Sequence, residues 1–139
     1  MRISRKAREA TLRMLFQWEL SKETPERVKH IYWSQVKGEA AVRQAAQELF
    51  DTVLGQREEI DRLIASHTEH WRLERLSAVD RNLMRLAVCE FLTRRDIPQK
   101  VVITEALEIA HRYSSDESAR FINGVLDAIR RDLARRKEP

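Results

Sequence analysis

Apolar side chains recur every three to four residues along most of the chain, marking out a succession of amphipathic helices. Between residues 5 and 20, Ala7, Thr11, Met14, Leu15 and Trp18 fall on one face of a 3.6-residue period. A second helix follows, with Thr24 as a candidate cap, Pro25 in the tolerated first position, and Val28, Ile31, Tyr32 and Val36 as its stripe. Gly38 is its expected stop. Residues 39 to 54 carry a broad apolar face through Val42, Ala45, Ala46, Leu49, Phe50 and Val53, and Ile60, Leu63 and Ile64 repeat the period beyond it. Gly55 either divides these two stretches or sits inside one longer helix.

After a short leading piece from Trp71, Ser77 or Asp80 caps a helix built on Leu83, Leu86, Ala87 and Phe91, and Pro98 closes that region. The next segment opens at or just before Thr104 and continues through Ala106, Leu107, Ile109, Ala110 and Tyr113. Its leading Val101, Val102 and Ile103 suit a strand, but no alternation follows and no second strand exists to pair with, so helix is expected. The last helix runs from about Glu117 to Arg135 on Ala119, Ile122, Val125, Leu126, Ile129 and Leu133. It contains Asn123 and Gly124, a pair that usually invites a turn, yet the stripe keeps phase across them and a turn would reset it. Glycine inside a helix costs about 1 kcal/mol relative to alanine, so Gly124 points to a close approach, by another helix first and by a ligand second.

Seven helical segments with short polar links and no β pattern make an all-α bundle. The 139 residues suffice for one hydrophobic core and are too few for two ordinary domains, so a single domain over 1–139 is expected, with its last few residues frayed. Only three glycines and three prolines in a chain that is 42% hydrophobic exclude a disordered polymer. The single Cys89 excludes an internal disulfide framework and, set in "LMRLAVCEFL", reads as a buried thiol of a cytoplasmic protein. No apolar run approaches the roughly 20 residues that cross a bilayer, and the N-terminus lacks a signal-peptide pattern.

Little in the chain suggests catalysis or a cofactor. No Gly-rich phosphate loop, dinucleotide fingerprint or nucleophile elbow occurs. His67 and His70 can share a helix face, but no nearby cysteine completes a metal-ligand set. The net charge of +4 permits an anionic partner without requiring one.

Its distribution is more telling. With each residue advancing about 100° around the first helix, Arg2, Arg5, Lys6 and Arg13 lie opposite Ala7, Thr11, Met14 and Trp18, and Phe16 falls among the cations. Cations meet phosphates and an exposed ring stacks on a base, which suits single-stranded nucleic acid. The residues alone leave two readings open: RNA or single-stranded DNA binding, and a helical protein-interaction module.

Three stretches, "SRKAREATLRMLFQWEL", "LSAVDRNLMRLAVCEFL" and "DIPQKVVITEALEIAHRYSSDESARFINGVLDAI", together resemble the transcription antitermination factor NusB family. The resemblance spans nearly the whole chain and is weakest from Ser21 to about Glu39 and after Arg131. It implies seven helices in two packed bundles and a non-catalytic protein without cofactor or metal. It further implies binding of boxA RNA in nascent transcripts, notably of ribosomal RNA operons, jointly with the small-subunit ribosomal protein that acts as Nus factor E, within the RNA polymerase elongation complex.

Residue by residue, the resemblance implies phosphate contacts at Arg5, Lys6 and Arg8, with Ser4 standing where many relatives carry another cation. Phe16 takes an aromatic position at the RNA surface, without the tyrosine hydroxyl found in some relatives. Glu117 and Phe121 are implied on the same surface, and Asp80 on the side facing partner and RNA. On this reading Phe121, Asn123 and Gly124 let the last helix meet the first, holding Phe121 near Phe16 and Arg5. Some relatives form homodimers that hide RNA surface, and exposed aromatics make that plausible here. The same fold occurs attached to ribosomal RNA cytosine methyltransferases. The end of this chain at Pro139 without a catalytic domain argues against that activity.

Overall fold

The computed structural model describes residues 3–68 and 75–136. Arg2, His70, the leading piece from Trp71 and the expected fraying at 137–139 lie outside these residues.

Seven helices account for the described elements: α1 (Arg5–Ser21), α2 (Pro25–Gln35), α3 (Ala40–Gly55), α4 (Arg57–Ser66), α5 (Ala78–Thr93), α6 (Gln99–Tyr113) and α7 (Asp116–Arg136). Their starts follow local capping chemistry. The hydroxyls of Ser4, Thr24 and Ser77 accept from the backbone N–H of Ala7, Arg27 and Asp80, each at 3.1 or 3.2 Å, satisfying donors that a first turn leaves open. Ser77 is therefore the cap of α5, and Asp80 sits in its first turn. At the end of α1 the chain turns through Lys22 in the left-handed region, φ 59°, whose N–H reaches back to the Trp18 carbonyl.

The structure decides one boundary that the sequence left open and moves two others. Gly55 closes α3, and Gln56 separates it from α4. The second helix stops at Gln35, before Gly38. The sixth begins at Gln99, so the β-branched run Val101 to Ile103 belongs to its first turns. Burial of Val102 and Ile103 explains this, because packing on one helix face outweighs a weak strand preference.

The helices form two packed bundles joined through α5. Helix α1 packs on α2, α3 and α5, while α5, α6, α7 and α4 pack together. Every residue of α5 from Asp80 to Phe91 is buried, as expected of a helix surrounded on all sides. One continuous apolar core runs from Ile3 to Ile129. Three of the polar side chains that α5 carries inside, Arg81, Asn82 and Arg85, are paired with carboxylates of neighbouring helices. The Arg81 and Asn82 side chains donate to Glu19 of α1, and Arg85 reaches Asp61 of α4 at 2.8 Å.

Asn123 and Gly124 lie inside α7 and are exposed. A Cβ added at Gly124 meets nothing within 4 Å, and the principal packing partners of α7 are α4, α5 and α6. The glycine does not serve close packing of the last helix on the first, contrary to expectation.

Candidate nucleic-acid interface

Helix α1 exposes one side because its other side, with Ala7, Thr11, Met14 and Leu15, is packed into the core. On the open side stand Arg5, Lys6, Arg13 and Phe16. Phe16 is one of the few large apolar side chains that is exposed, at 37%, and Leu20 one turn on is more open still. An aromatic ring among cations on a solvent-facing helix is therefore realised in three dimensions.

The cations differ in what already holds them. Lys6 has no ion-pair or hydrogen-bond partner among the described residues, so its ammonium is available to an incoming anion. Arg5 reaches across to α6, where its Nη2 lies 2.7 Å from Glu105 Oε2. Hydrogen bonding and charge from Glu105 hold the Arg5 guanidinium above its ordinary pKa, and Arg5 draws the Glu105 carboxyl below its own.

Arg13 lies over the Tyr113 ring at 5.5 Å and donates to its hydroxyl at 2.7 Å. Partial burial works against its charge, but hydrogen bonds to Tyr32 and Tyr113 more than offset this and raise its pKa. The Tyr113 hydroxyl in turn donates to Glu9 at 2.8 Å, and Arg112 pairs with the same carboxylate at 3.3 Å. Glu105, Arg112 and Tyr113 thus join the α1 surface from α6. Sequence reasoning missed them because nothing local marks which carboxylates of α6 face α1.

Arg8 is a correction. Only 4% of its side chain is exposed, and it forms a two-point ion pair with Glu90 of α5, at 2.7 and 2.9 Å, while donating to the Ile3 carbonyl at 2.7 Å. Its donors are engaged inside the protein and do not face a phosphate. Although Arg8 sits beside Arg5 and Lys6 in sequence, its angle on α1 turns it inward.

Asp80 departs from expectation in the same direction. Its carboxylate is buried at the start of α5, with Oδ1 lacking a hydrogen-bond partner among the described residues. Its position near the positive end of the α5 dipole favours the charge there. As placed, its Oδ1 is closed off from a nucleic-acid strand.

On α7, Glu117 is exposed in the first turn, whereas Phe121 is half-buried and packs on the core. Phe16 lies outside that core, so the expected arrangement of Phe121 held beside Phe16 by Gly124 is not supported by the helix packing.

Among the described residues, no group of three or more His, Cys, Asp or Glu side chains is placed to hold a metal ion. His67 instead lies 3.5 Å from Asp132 of α7. None of the helices among them is long and apolar enough to cross a membrane.

The arrangement has clear counterparts. The family model described as the NusB family matches residues 5–131. The transcription antitermination protein NusB of Koribacter versatilis (strain Ellin345) is 49% identical over 136 residues, covering 96% of this chain and 93% of that one. A structure of T. maritima NusB superposes with a TM-score of 0.83 at 36% identity, covering 95% and 94% of the two chains. A crystal structure of antitermination factors NusB and NusE in complex with double-stranded RNA gives a TM-score of 0.84 at 28% identity, covering 95% and 98%.

Proposed function

Because this chain belongs to the NusB family, we propose that it is a non-catalytic antitermination factor that binds boxA RNA of nascent transcripts. It acts jointly with the small-subunit ribosomal protein serving as Nus factor E, within the elongation complex of RNA polymerase and notably on ribosomal RNA operons. The observation that carries this reading is the open face of α1, which Arg5, Lys6 and Arg13 share with the exposed Phe16 ring.

Recognition follows from two forces. The cations attract phosphates and release condensed counterions, giving affinity that falls with salt, while a base stacks on Phe16. Sequence selection needs base-edge hydrogen bonds in addition, since neither phosphate contact nor stacking discriminates strongly among bases. Exposed carboxylates such as Glu117 are acceptors suited to base N–H groups. The partner protein covers an adjacent helical face and extends the RNA track, so each component raises the affinity of the other by the same factor.

Fluorescence anisotropy with labelled boxA RNA and a scrambled control, with and without the ribosomal partner, tests the reading. Tighter boxA binding in the presence of the partner, weakened by combined Arg5→Ala and Lys6→Ala, is expected. Equal binding to both RNAs would reduce the site to a basic surface. Partner binding without RNA binding would favour a protein-interaction module.

A further inference from the structure

Beside the α1 ridge, a cleft of about 830 Å³ opens between α1, α2 and the turn from α2 to α3. Its size lies within the range of small-molecule sites. Its lining combines three kinds of group. Lys6 of α1 and Lys37 of the turn supply two cations that have no ion-pair partner among the described residues. Glu39 adds a carboxylate that occupies the N-cap position of α3 without making a side-chain capping bond. Trp33 and Tyr32 form an aromatic wall, their rings edge to face at 4.8 Å.

The wall is held in place. With the Gln47 amide turned to satisfy its neighbours, its oxygen accepts from Trp33 Nε1 at 3.2 Å and from Arg43 Nε at 3.1 Å. The turn also passes so close that a Cβ at Gly38 would stand 2.8 Å from Trp33 Cζ3. Glycine is therefore required there unless the indole or the turn moves, and Lys37 and Glu39 flank it on the cleft rim.

We propose that this cleft is a subsite for one nucleotide of a single-stranded RNA that continues off the α1 ridge. Lys6 and Lys37 neutralise its phosphate, the Trp33 wall receives the flat face or edge of the base, and Glu39 accepts from a base N–H. Lys6 belongs to both the ridge and the cleft, so one strand passes from one to the other. Phosphate, π-face and base-edge donor are all met by a nucleotide, whereas inorganic phosphate would use the lysines alone. The inference rests on the RNA-binding reading given above and extends it to residues of α2 and the following turn.

The test uses the full chain. A minimal boxA RNA and the same RNA lengthened by a few nucleotides at either end are titrated against wild type, Lys37→Ala, Glu39→Gln and Arg5→Ala. Extension at one end is expected to raise wild-type affinity about five- to tenfold, the scale of one stacked and neutralised nucleotide. Lys37→Ala and Glu39→Gln should each reduce that gain while leaving the minimal RNA bound as before, and Arg5→Ala should weaken both RNAs alike.

In parallel, the Trp33 indole N–H resonance, assigned with Trp33→Phe, is followed as adenosine 5′-monophosphate or inorganic phosphate is added. A shift with the nucleotide that phosphate does not reproduce supports the site. No gain from extension at either end, with the minimal RNA still bound, overturns the subsite and leaves the α1 reading standing. Failure of the minimal RNA to bind overturns both. A nucleotide-dependent Trp33 shift without any gain from RNA extension assigns the cleft to a free nucleotide and overturns the RNA assignment.

Discussion

Arg5 and Glu105 meet across α1 and α6 in a two-point contact, Nη2 to Oε2 at 2.7 Å and Nε to Oε1 at 3.4 Å. The guanidinium proposed to contact phosphate thus already has an anionic partner, and RNA must share or displace it. Glu105→Gln removes the competing charge and is expected to tighten RNA binding by roughly three- to tenfold at low salt. Arg5→Ala should weaken binding and flatten the dependence of log affinity on log salt by about 0.7, the value for one single-strand phosphate contact. Anisotropy titrations over a salt series measure both. Weaker binding by Glu105→Gln would mean that Glu105 orients Arg5 for the phosphate.

The pair formed by Arg8 and Glu90 is of another kind, because both side chains are almost fully buried. Removing one partner leaves the other charge uncompensated, so Arg8→Ala is expected to lose about 3–5 kcal/mol of stability in urea unfolding. Any accompanying loss of RNA binding should track the unfolded fraction and disappear at temperatures where the variant is folded.

Phe16 and Phe121 should separate binding from stability. Phe16 is exposed, so Phe16→Ala is expected to unfold at nearly the wild-type urea concentration while weakening RNA binding by about 1–3 kcal/mol, the range for a stacked base. Phe121 packs on the core, and Phe121→Ala should lower the unfolding midpoint by clearly more than Phe16→Ala does.

Gly124 offers a stabilising change. Its φ is not positive, and an added Cβ meets open space, so Gly124→Ala should raise stability by about 0.5–1 kcal/mol through helix propensity. Unchanged RNA affinity in that variant would exclude close backbone approach by the strand at this position.

Burial pushes the Cys89 thiol up to about 11, against a weaker opposing hydrogen bond with Thr93. At neutral pH the native thiol stays protonated, and it should react with iodoacetamide only as fast as the protein opens. Its contribution to stability is fully present below the unfolded thiol pKa of about 8.5 and declines as pH rises towards 11. Comparing urea midpoints of wild type and Cys89→Ala across that window isolates the effect.

The sequence by itself determined the helices, because the spacing of apolar residues and the caps Ser4, Thr24 and Ser77 act within a few residues of the positions they control. The continuous stripe across Asn123 and Gly124 placed that pair in a helix for the same local reason. The open basic face with Phe16 was also legible, since the angle of each side chain around α1 follows from its number. What became of each cation was decided only in three dimensions. Arg5, Lys6 and Arg8 are near neighbours in the chain, yet one is paired at the surface, one is free of described partners and one is buried. Their fates depend on Glu105 and Glu90, which lie 100 residues from Arg5 and 82 from Arg8, respectively. The cleft joining Lys6 to Lys37, Glu39 and Trp33 is likewise a product of helix packing. Charge and close contact act between atoms brought together by the fold, and a helical period carries no information about which distant helix will face them.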